Sequence, residues 1–374
     1  MKITPFAVEQ WMNEFETRCS HNLAETCVAS LTLSELLDLA GVGAAALADL
    51  LPLKLTYGAI EGTDRLRGAI ASLYAGKTPQ DILVAHGAIG ANALAYQALV
   101  GPSDHVVSVV PTYQQHYSIP ESLGASVARL ALDACEGYLP NLDRLRDLVT
   151  PKTRLIAFSN PNNPSGALMD RALLEAVAAI ADRVGAYVLC DEVYRGTTQV
   201  GDELTPSIVD VYPRGIAVGS MSKAFSLAGL RLGWLCAPIE VLKAAEIHRD
   251  YNTISVGMVD DWMAALALEN AGAILARSRS IVRTNLAVLE RWVASEPSIS
   301  WVKPAAGTTT LLSYAFELPS REFCIRLLEE TGVLFTPGSA FEREGCVRIG
   351  YANSPAILAE GLERVRPFLR SLGG

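Results

Sequence analysis

From about residue 55 to 233, short apolar runs alternate with stretches whose apolar residues recur at helical spacing. A sheet covered by crossover helices requires that alternation, because its strands are buried on both faces while each helix keeps one polar face. Strands are predicted at 81–85, 105–110, 154–158, 186–189 and 215–218. Between them, stretches such as 171–180 place their apolar side chains on one face of a helix. The expectation is an α/β fold with a parallel, doubly wound sheet. After Trp234 the pattern predicts long helices at 238–248 and 259–294, the latter with a break inside it, then a strand-and-helix segment from Trp301 onward. This order predicts three parts: an N-terminal segment over 1–50, carrying Trp11, that packs with the small domain; a large domain over 51–255; and a small α+β domain over 256–374.

Composition narrows the class of partner. The chain has 374 residues, 50% hydrophobic and 19% charged, an ordinary globular balance with ample core. A net charge of −9 argues against nucleic acid or an anionic membrane as main partner, since both need a basic face. A small molecule is expected instead. The seven cysteines are scattered, with no C-x-x-C pair, which fits reduced thiols rather than a disulfide framework or zinc site, and no metal is expected. No apolar run reaches the ~18 residues of a membrane helix and no signal peptide is recognisable, so a cytoplasmic protein is expected.

Candidate chemistry centres on Gly219-Ser220-Met221-Ser222-Lys223-Ala224-Phe225-Ser226-Leu227-Ala228-Gly229-Leu230-Arg231-Leu232-Gly233. One lysine sits among small and apolar residues with few groups to hydrate its ammonium. Its pKa is therefore expected to fall, freeing the amine to condense with an aldehyde. A solvated lysine in a Gly/Ser-rich loop is the plain alternative.

Other segments place polar groups beside it. Asp191 ends a predicted buried strand in Tyr187-Val188-Leu189-Cys190-Asp191-Glu192-Val193-Tyr194, where a helix cap or surface acid is the alternative. Asn160-Pro161-Asn162-Asn163-Pro164-Ser165-Gly166 lies between a strand and a helix, where open α/β sheets bind ligands, although Asn-Pro steps also mark plain turns. His86-Gly87-Ala88-Ile89-Gly90-Ala91-Asn92 opens a helix, and its small residues let backbone N–H groups approach an anion. Ser220, Ser222 and Arg231 add neutral donors and one fixed cation for a dianion. Tyr113 offers an aromatic face to a ring, or merely closes a strand. Arg348, in Val347-Arg348-Ile349-Gly350-Tyr351, carries a planar fork suited to a carboxylate, the alternative being a surface arginine on an edge strand.

The lysine run resembles the cofactor-lysine segment of fold type I pyridoxal-phosphate (PLP) enzymes, the class I/II aminotransferase superfamily, which reads S-x-S-K followed by G-x-R-x-G. Asp-Glu-x-Tyr at Asp191, N-P-x-N-P-[ST]-G at Asn160 and Y-G-x-x-x-G-x-x-x-L-R at Tyr57 resemble that family too, in family order over about 55–351. The resemblance implies a mostly parallel seven-stranded sheet, a smaller α+β domain and PLP joined to Lys223 as an imine. It implies that Asp191 pairs with the pyridine nitrogen, that Tyr194 and Asn163 hold the ring O3′ and that Tyr113 stacks on the ring. Gly87, Ala88, Ile89, Ser220, Ser222 and Arg231 would hold the phosphate, and Arg348 with Asn163 the substrate α-carboxylate. Tyr57 would reach the phosphate of a neighbouring subunit, implying a homodimer with shared sites. A free L-amino acid would then react through external aldimine and quinonoid intermediates, with Lys223 removing the Cα proton.

The N-terminus departs from the common aminotransferase pattern, which has a Gly-Glu-Pro step where this chain reads His21-Asn22-Leu23-Ala24-Glu25-Thr26-Cys27-Val28-Ala29-Ser30. This region, from Val8 to Leu36, together with 249–255, resembles the PLP cyclases that convert a hydroxylated arginine to capreomycidine or enduracididine. Glu9, Glu16 and Glu25 are candidates to hold a guanidinium, the alternative being solvated helix acids; Glu25 is preferred because it lies in the departing segment. The expected function is such a cyclase, acting by elimination and ring closure; the alternative is an ordinary aminotransferase acting on a 2-oxo acid. A ligand-sensing regulator of the same fold is a further class, disfavoured because no basic helix-turn-helix precedes the fold. Cys27 and His116 are expected to pack rather than react.

Overall fold

The computed structural model describes residues 2–373. A seven-stranded sheet runs in the order Ile82–Ala85, Gly233–Cys236, Gly215–Ser220, Tyr187–Asp191, Thr153–Ser159, His105–Val110, Ser126–Ala131. Its strands pair in parallel except Gly233–Cys236, which is antiparallel to both neighbours. Successive side chains enter opposite cores: Val84, Val188 and Cys190 one, Leu83, Ala85 and Leu189 the other. Helices Asp64–Ala71 and Arg171–Asp182 feed the first core, and Gly87–Leu99 with Ile239–Asp250 the second. With both faces covered, the five predicted strands read as largely apolar runs, broken in mid-strand only by the buried Ser108.

Two strands escaped that reading. Ser126–Ala131 is an edge strand that is mostly half-buried or exposed and carries Arg129, so its pattern is weak. Gly233–Cys236 is only four residues long and follows the lysine run directly.

A second, antiparallel sheet pairs Thr336–Pro337, Cys346–Gly350, Thr309–Tyr314 and Ile299–Trp301 in that order. Helices Ser320–Thr331 and Pro355–Leu372 cover it, and Trp11 and Phe15 of helix Ala7–Phe15 enter the same core. The predicted helix break falls at Asn270, between Met258–Glu269 and Ala271–Ala294. Ile274 and Leu275 pack into the large-sheet core, whereas Val282, Leu286 and Leu289 pack into the small one. The changeover therefore lies inside the long helix, and residues 256–275, expected with the small domain, pack on the large sheet.

His21–Asn22 pairs in parallel with Val333–Leu334, and the chain then crosses the small sheet as a strap. Gly350 N–H donates to the Leu23 carbonyl at 2.7 Å and Ala29 N–H to the Ala352 carbonyl at 2.8 Å. A Cβ on Gly350 would overlap the Glu25 carbonyl oxygen, so only glycine lets the strap lie this close. Gly350→Ala is expected to lose about 1–3 kcal/mol, as overpacking does. Gly272→Ala, in a helix with open space at its Cβ, should lose nothing. Urea unfolding midpoints of the two variants check this.

Candidate active site

The C-terminal ends of the parallel strands converge on a cleft of about 310 Å³ closed by the N-terminal segment and the small sheet. Fourteen of the residues singled out from sequence line it: Gly87, Ala88, Ile89, Tyr113, Asn163, Asp191, Tyr194, Ser220, Ser222, Lys223, Arg231, Arg348, Glu9 and Glu25. Tyr57 does not; it lies outside the cleft, 73% exposed. Glu16, Thr26, Cys27 and Asn92 line it as well.

Lys223 sits in the turn after Gly215–Ser220 and points at the strap. Its Nζ donates to Thr26 Oγ1 at 2.7 Å and to Cys27 Sγ at 3.4 Å. The expected fall in its pKa does not occur. Burial pulls the value down, but Cys27, Tyr194 and Glu25 outweigh burial and hold the ammonium above the ordinary lysine value. The lysine's nearest neighbours in its own run are small or apolar; Cys27 and Glu25 come to it from the strap, and Tyr194 from just past the end of the adjacent strand. Burial pushes the Cys27 thiol up to about 11, so it is not a ready nucleophile.

Asp191 is 5% exposed at the end of its strand. Asn92 Nδ2 donates to its Oδ2 at 2.9 Å and Val193 N–H to its Oδ1 at 3.2 Å. Burial raises its pKa, opposed by those two donors and by Lys223. His116 Nε2 lies 3.9 Å from Asp191 Oδ2, while its Nδ1 meets Tyr96 OH at 2.8 Å. Burial pushes His116 down to about 3, leaving a neutral ring behind the carboxylate. Asn92 was legible only as the last residue of the helix-opening motif. His116, three residues after Tyr113, is fully buried, in keeping with the expectation that it packs; its place behind Asp191 has no mark in the local sequence.

Glu192 turns the other way. Its Oε1 accepts from Ser207 Oγ at 2.8 Å and Ile208 N–H at 3.0 Å, with Arg195 Nε 3.9 Å from Oε2. The strand's alternation thus sends Asp191 into the cleft and Glu192 behind it.

The anion cup is a backbone feature. Gly87, at φ +65°, opens helix Gly87–Leu99 straight after its strand, and a Cβ there would stand 3.3 Å from Arg231 Nη2. A Cβ on Gly233 would overlap the backbone of Gly87 and Ala88. Arg231 is held in the left-handed region at φ 48°. Helix-terminal N–H groups, Ser220, Ser222 and this guanidinium therefore surround one spot. Such a set fits a phosphate dianion, and the cleft beyond it, with Asp191 at its floor, fits a pyridine ring.

Tyr113 OH donates to Glu9 Oε1 at 2.9 Å and its ring lies 4.7 Å from that of Phe6. Arg348 is 3% exposed on an interior strand of the small sheet, not an edge. Its Nη1 donates to Asn163 Oδ1 at 3.2 Å, and its Nη2 to the Ala24 carbonyl and Thr336 Oγ1 at 3.1 Å. Its buried Nε has no hydrogen-bond partner among the described residues. Glu25 Oε1 accepts from Thr26 N–H at 2.7 Å and Cys27 N–H at 2.8 Å, so one oxygen shapes the strap. Burial tends to raise its pKa, but Lys223 and those donors bring it below the ordinary value. Glu16 titrates upward, through burial and then through Glu25 and Glu9.

A strand-end cleft with an anion cup, a buried carboxylate and a lysine amine between them defines an aldehyde-cofactor enzyme of the PLP class. The chain belongs to the aminotransferase class I and II family, whose model matches residues 44–365, and this family is PLP-dependent. It is similar to capreomycidine synthase of Streptomyces vinaceus, 31% identical over 96% of this chain and 92% of that one. Among solved structures it is similar to a PLP-dependent aminotransferase from Streptococcus suis (TM-score 0.96, 44% identical, 100% and 99% of the chains covered). The PLP-dependent cyclase OrfR is also similar, with a TM-score of 0.91 and 28% identity over 99% and 98% of the two chains.

Burial pushes Glu192 up to about 7, against Arg195, Ile208 N–H and Ser207. Its folded pKa lies above the unfolded value near ~4.3, so its contribution is complete below that pH and lost as pH rises toward 7. Glu192→Gln should remove this decline, gaining roughly 1–3 kcal/mol relative to wild type on the alkaline side. Urea unfolding across that pH window checks it; parallel curves for the two proteins would contradict it.

Proposed function

We propose that this enzyme cyclises a hydroxylated arginine to a cyclic guanidino amino acid by losing water from the side chain and closing the ring through a guanidine nitrogen. When bound, PLP supplies an aldehyde for the amine and an electron sink for the Cα carbanion. Asp191 pairs with the pyridine nitrogen, Tyr194 and Asn163 hold the ring oxygen, and Tyr113 covers the ring. Gly87, Ala88, Ile89, Ser220, Ser222 and Arg231 hold the phosphate. Arg348 grips the substrate α-carboxylate beside Asn163, which fixes the Cα bond to be broken. Lys223 takes the Cα proton on its Nζ.

One observation carries the finer reading. Three carboxylates of the N-terminal segment, Glu9, Glu16 and Glu25, line the same cleft as Arg348. An amino acid held by its carboxylate at Arg348 would present a cationic side chain to them, and a guanidinium suits acids best. The likeness to capreomycidine synthase over nearly the whole chain supports this reading. The second reading, transfer of the amino group to a 2-oxo acid, is favoured by the likeness to the Streptococcus suis aminotransferase.

We further propose a cytoplasmic homodimer, with Tyr57 serving the neighbouring subunit's phosphate site. Leu51, Leu55 and Tyr57, large and exposed within one short segment, are side chains that such an interface would cover.

Incubation of the PLP-loaded enzyme with arginine or hydroxyarginines, with and without pyruvate, separates the two readings by mass spectrometry. A product lighter than hydroxyarginine by one water, formed without pyruvate, is expected. Steady alanine formation would overturn the cyclase reading. Glu25→Gln should raise KM for the guanidino substrate about tenfold or more while sparing cofactor binding.

A further inference from the structure

The strap supplies the side-chain partners of the Lys223 amine. Thr26 Oγ1 accepts from Nζ at 2.7 Å and Cys27 Sγ at 3.4 Å. Thr26 is itself fixed on both sides: its N–H donates to Glu25 Oε1 at 2.7 Å, and its carbonyl accepts from Thr308 Oγ1 at 2.6 Å. It is 7% exposed. Two residues earlier, the Ala24 carbonyl accepts from Arg348 Nη2 at 3.1 Å. One short segment therefore touches both the carboxylate fork and the amine.

We propose that Thr26 is a positioning residue: its hydroxyl is the station that receives the Lys223 amine whenever that amine is not covalently engaged, holding it on the Arg348 side of the cleft. The inference deepens the assignment of Lys223 as the amine exchanged between cofactor and substrate, and it is independent of whether the second half is cyclisation or transamination. A threonine hydroxyl suits both forms of the lysine. It accepts from the ammonium, as seen, and can turn its own O–H toward the lone pair of the neutral amine. Proton removal and return at Cα both require the amine on the substrate side. Valine has the same shape without the oxygen, so exchange of the two isolates the hydroxyl.

The test begins without cofactor. Trace labelling of the cofactor-free protein with trinitrobenzenesulfonate over a pH series, reading the Lys223 peptide by mass spectrometry, reports the amine's titration beside Cys27, Tyr194 and Glu25. In Thr26→Val the ammonium loses its acceptor, and Lys223 should label on the order of tenfold faster on the acid side of its titration. Thr26→Ser should stay within roughly twofold of wild type. In the PLP-loaded enzyme, exchange of the substrate Cα proton with deuterated solvent should slow on the order of tenfold in Thr26→Val, with KM for the amino acid little changed. Thr26→Ala serves if the valine variant does not fold. Wild-type labelling and exchange in Thr26→Val, or equal defects in Thr26→Ser, would overturn the proposal. These readouts precede ring closure, so their failure is distinct from failure of the cyclase reading, in which Thr26 matters but no cyclic product forms.

Discussion

The contact of the Glu25 carbonyl with the bare Cα of Gly350 sets the geometry on which the site depends. Any side chain at that position would lift the strap from the strand that carries Arg348. Seated there, the strap offers the Ala24 carbonyl to the buried guanidinium and Thr26 to Lys223, and it brings the Glu25 carboxylate into the cleft. Burying Arg348 at 3% exposure costs solvation, which Asn163, Ala24 and Thr336 offset by accepting from both Nη atoms. The unpartnered Nε marks what remains unsatisfied. An arginine restrained in this way by backbone and side-chain acceptors is a fixed reference point for a carboxylate.

Charge in the cleft is divided by element. The large sheet's edge brings Arg231, Asp191 and the helix N-terminus at Gly87, the small sheet brings Arg348, and the N-terminal segment brings Glu9, Glu16 and Glu25. Lys223 lies among them, and its pKa is raised because Cys27, Tyr194 and Glu25 outweigh burial. Neighbouring Asp191 and Glu192 show how strand alternation separates roles. The first faces the cleft with donors on both oxygens, and the second is held by Ser207 and Ile208 behind the sheet.

What could be read from the chain follows from how local each signal is. The five predicted strands are covered on both faces, so they read as largely apolar runs, Ser108 being a buried exception; the edge strand Ser126–Ala131 is wet on one side and carries Arg129, and its signal disappears. The cofactor-type residues lie in short contiguous motifs at strand ends, so all of the residues expected to hold the cofactor except Tyr57 meet in one cleft. The lysine's electrostatics could not be read in the same way, because Thr26 and Cys27 reach it from about 197 positions away. Asn92 and His116 approach Asp191 from sequence separations of 99 and 75 for the same reason: packing of helices against the sheet, not local pattern, aims them.

The family match begins at residue 44, beyond helix Ala7–Phe15 and the strap. The match thus spans the strand-end groups and Arg348 and does not reach Glu9, Glu16, Glu25 or Thr26. A protein built this way separates two tasks physically. The strand-end groups, Asp191, Ser220 and Lys223 among them, are carried by a sheet covered on both faces. The N-terminal segment is tied to the small sheet by a strand pair, the Gly350 contact and the Arg348 and Thr308 bonds to its carbonyls, and to the large domain chiefly through Tyr113, Gln114, Ser226 and Lys223. On the reading proposed above, the choice of substrate side chain and the resting place of the lysine amine both fall to this segment, which meets the cleft from the side of the small sheet.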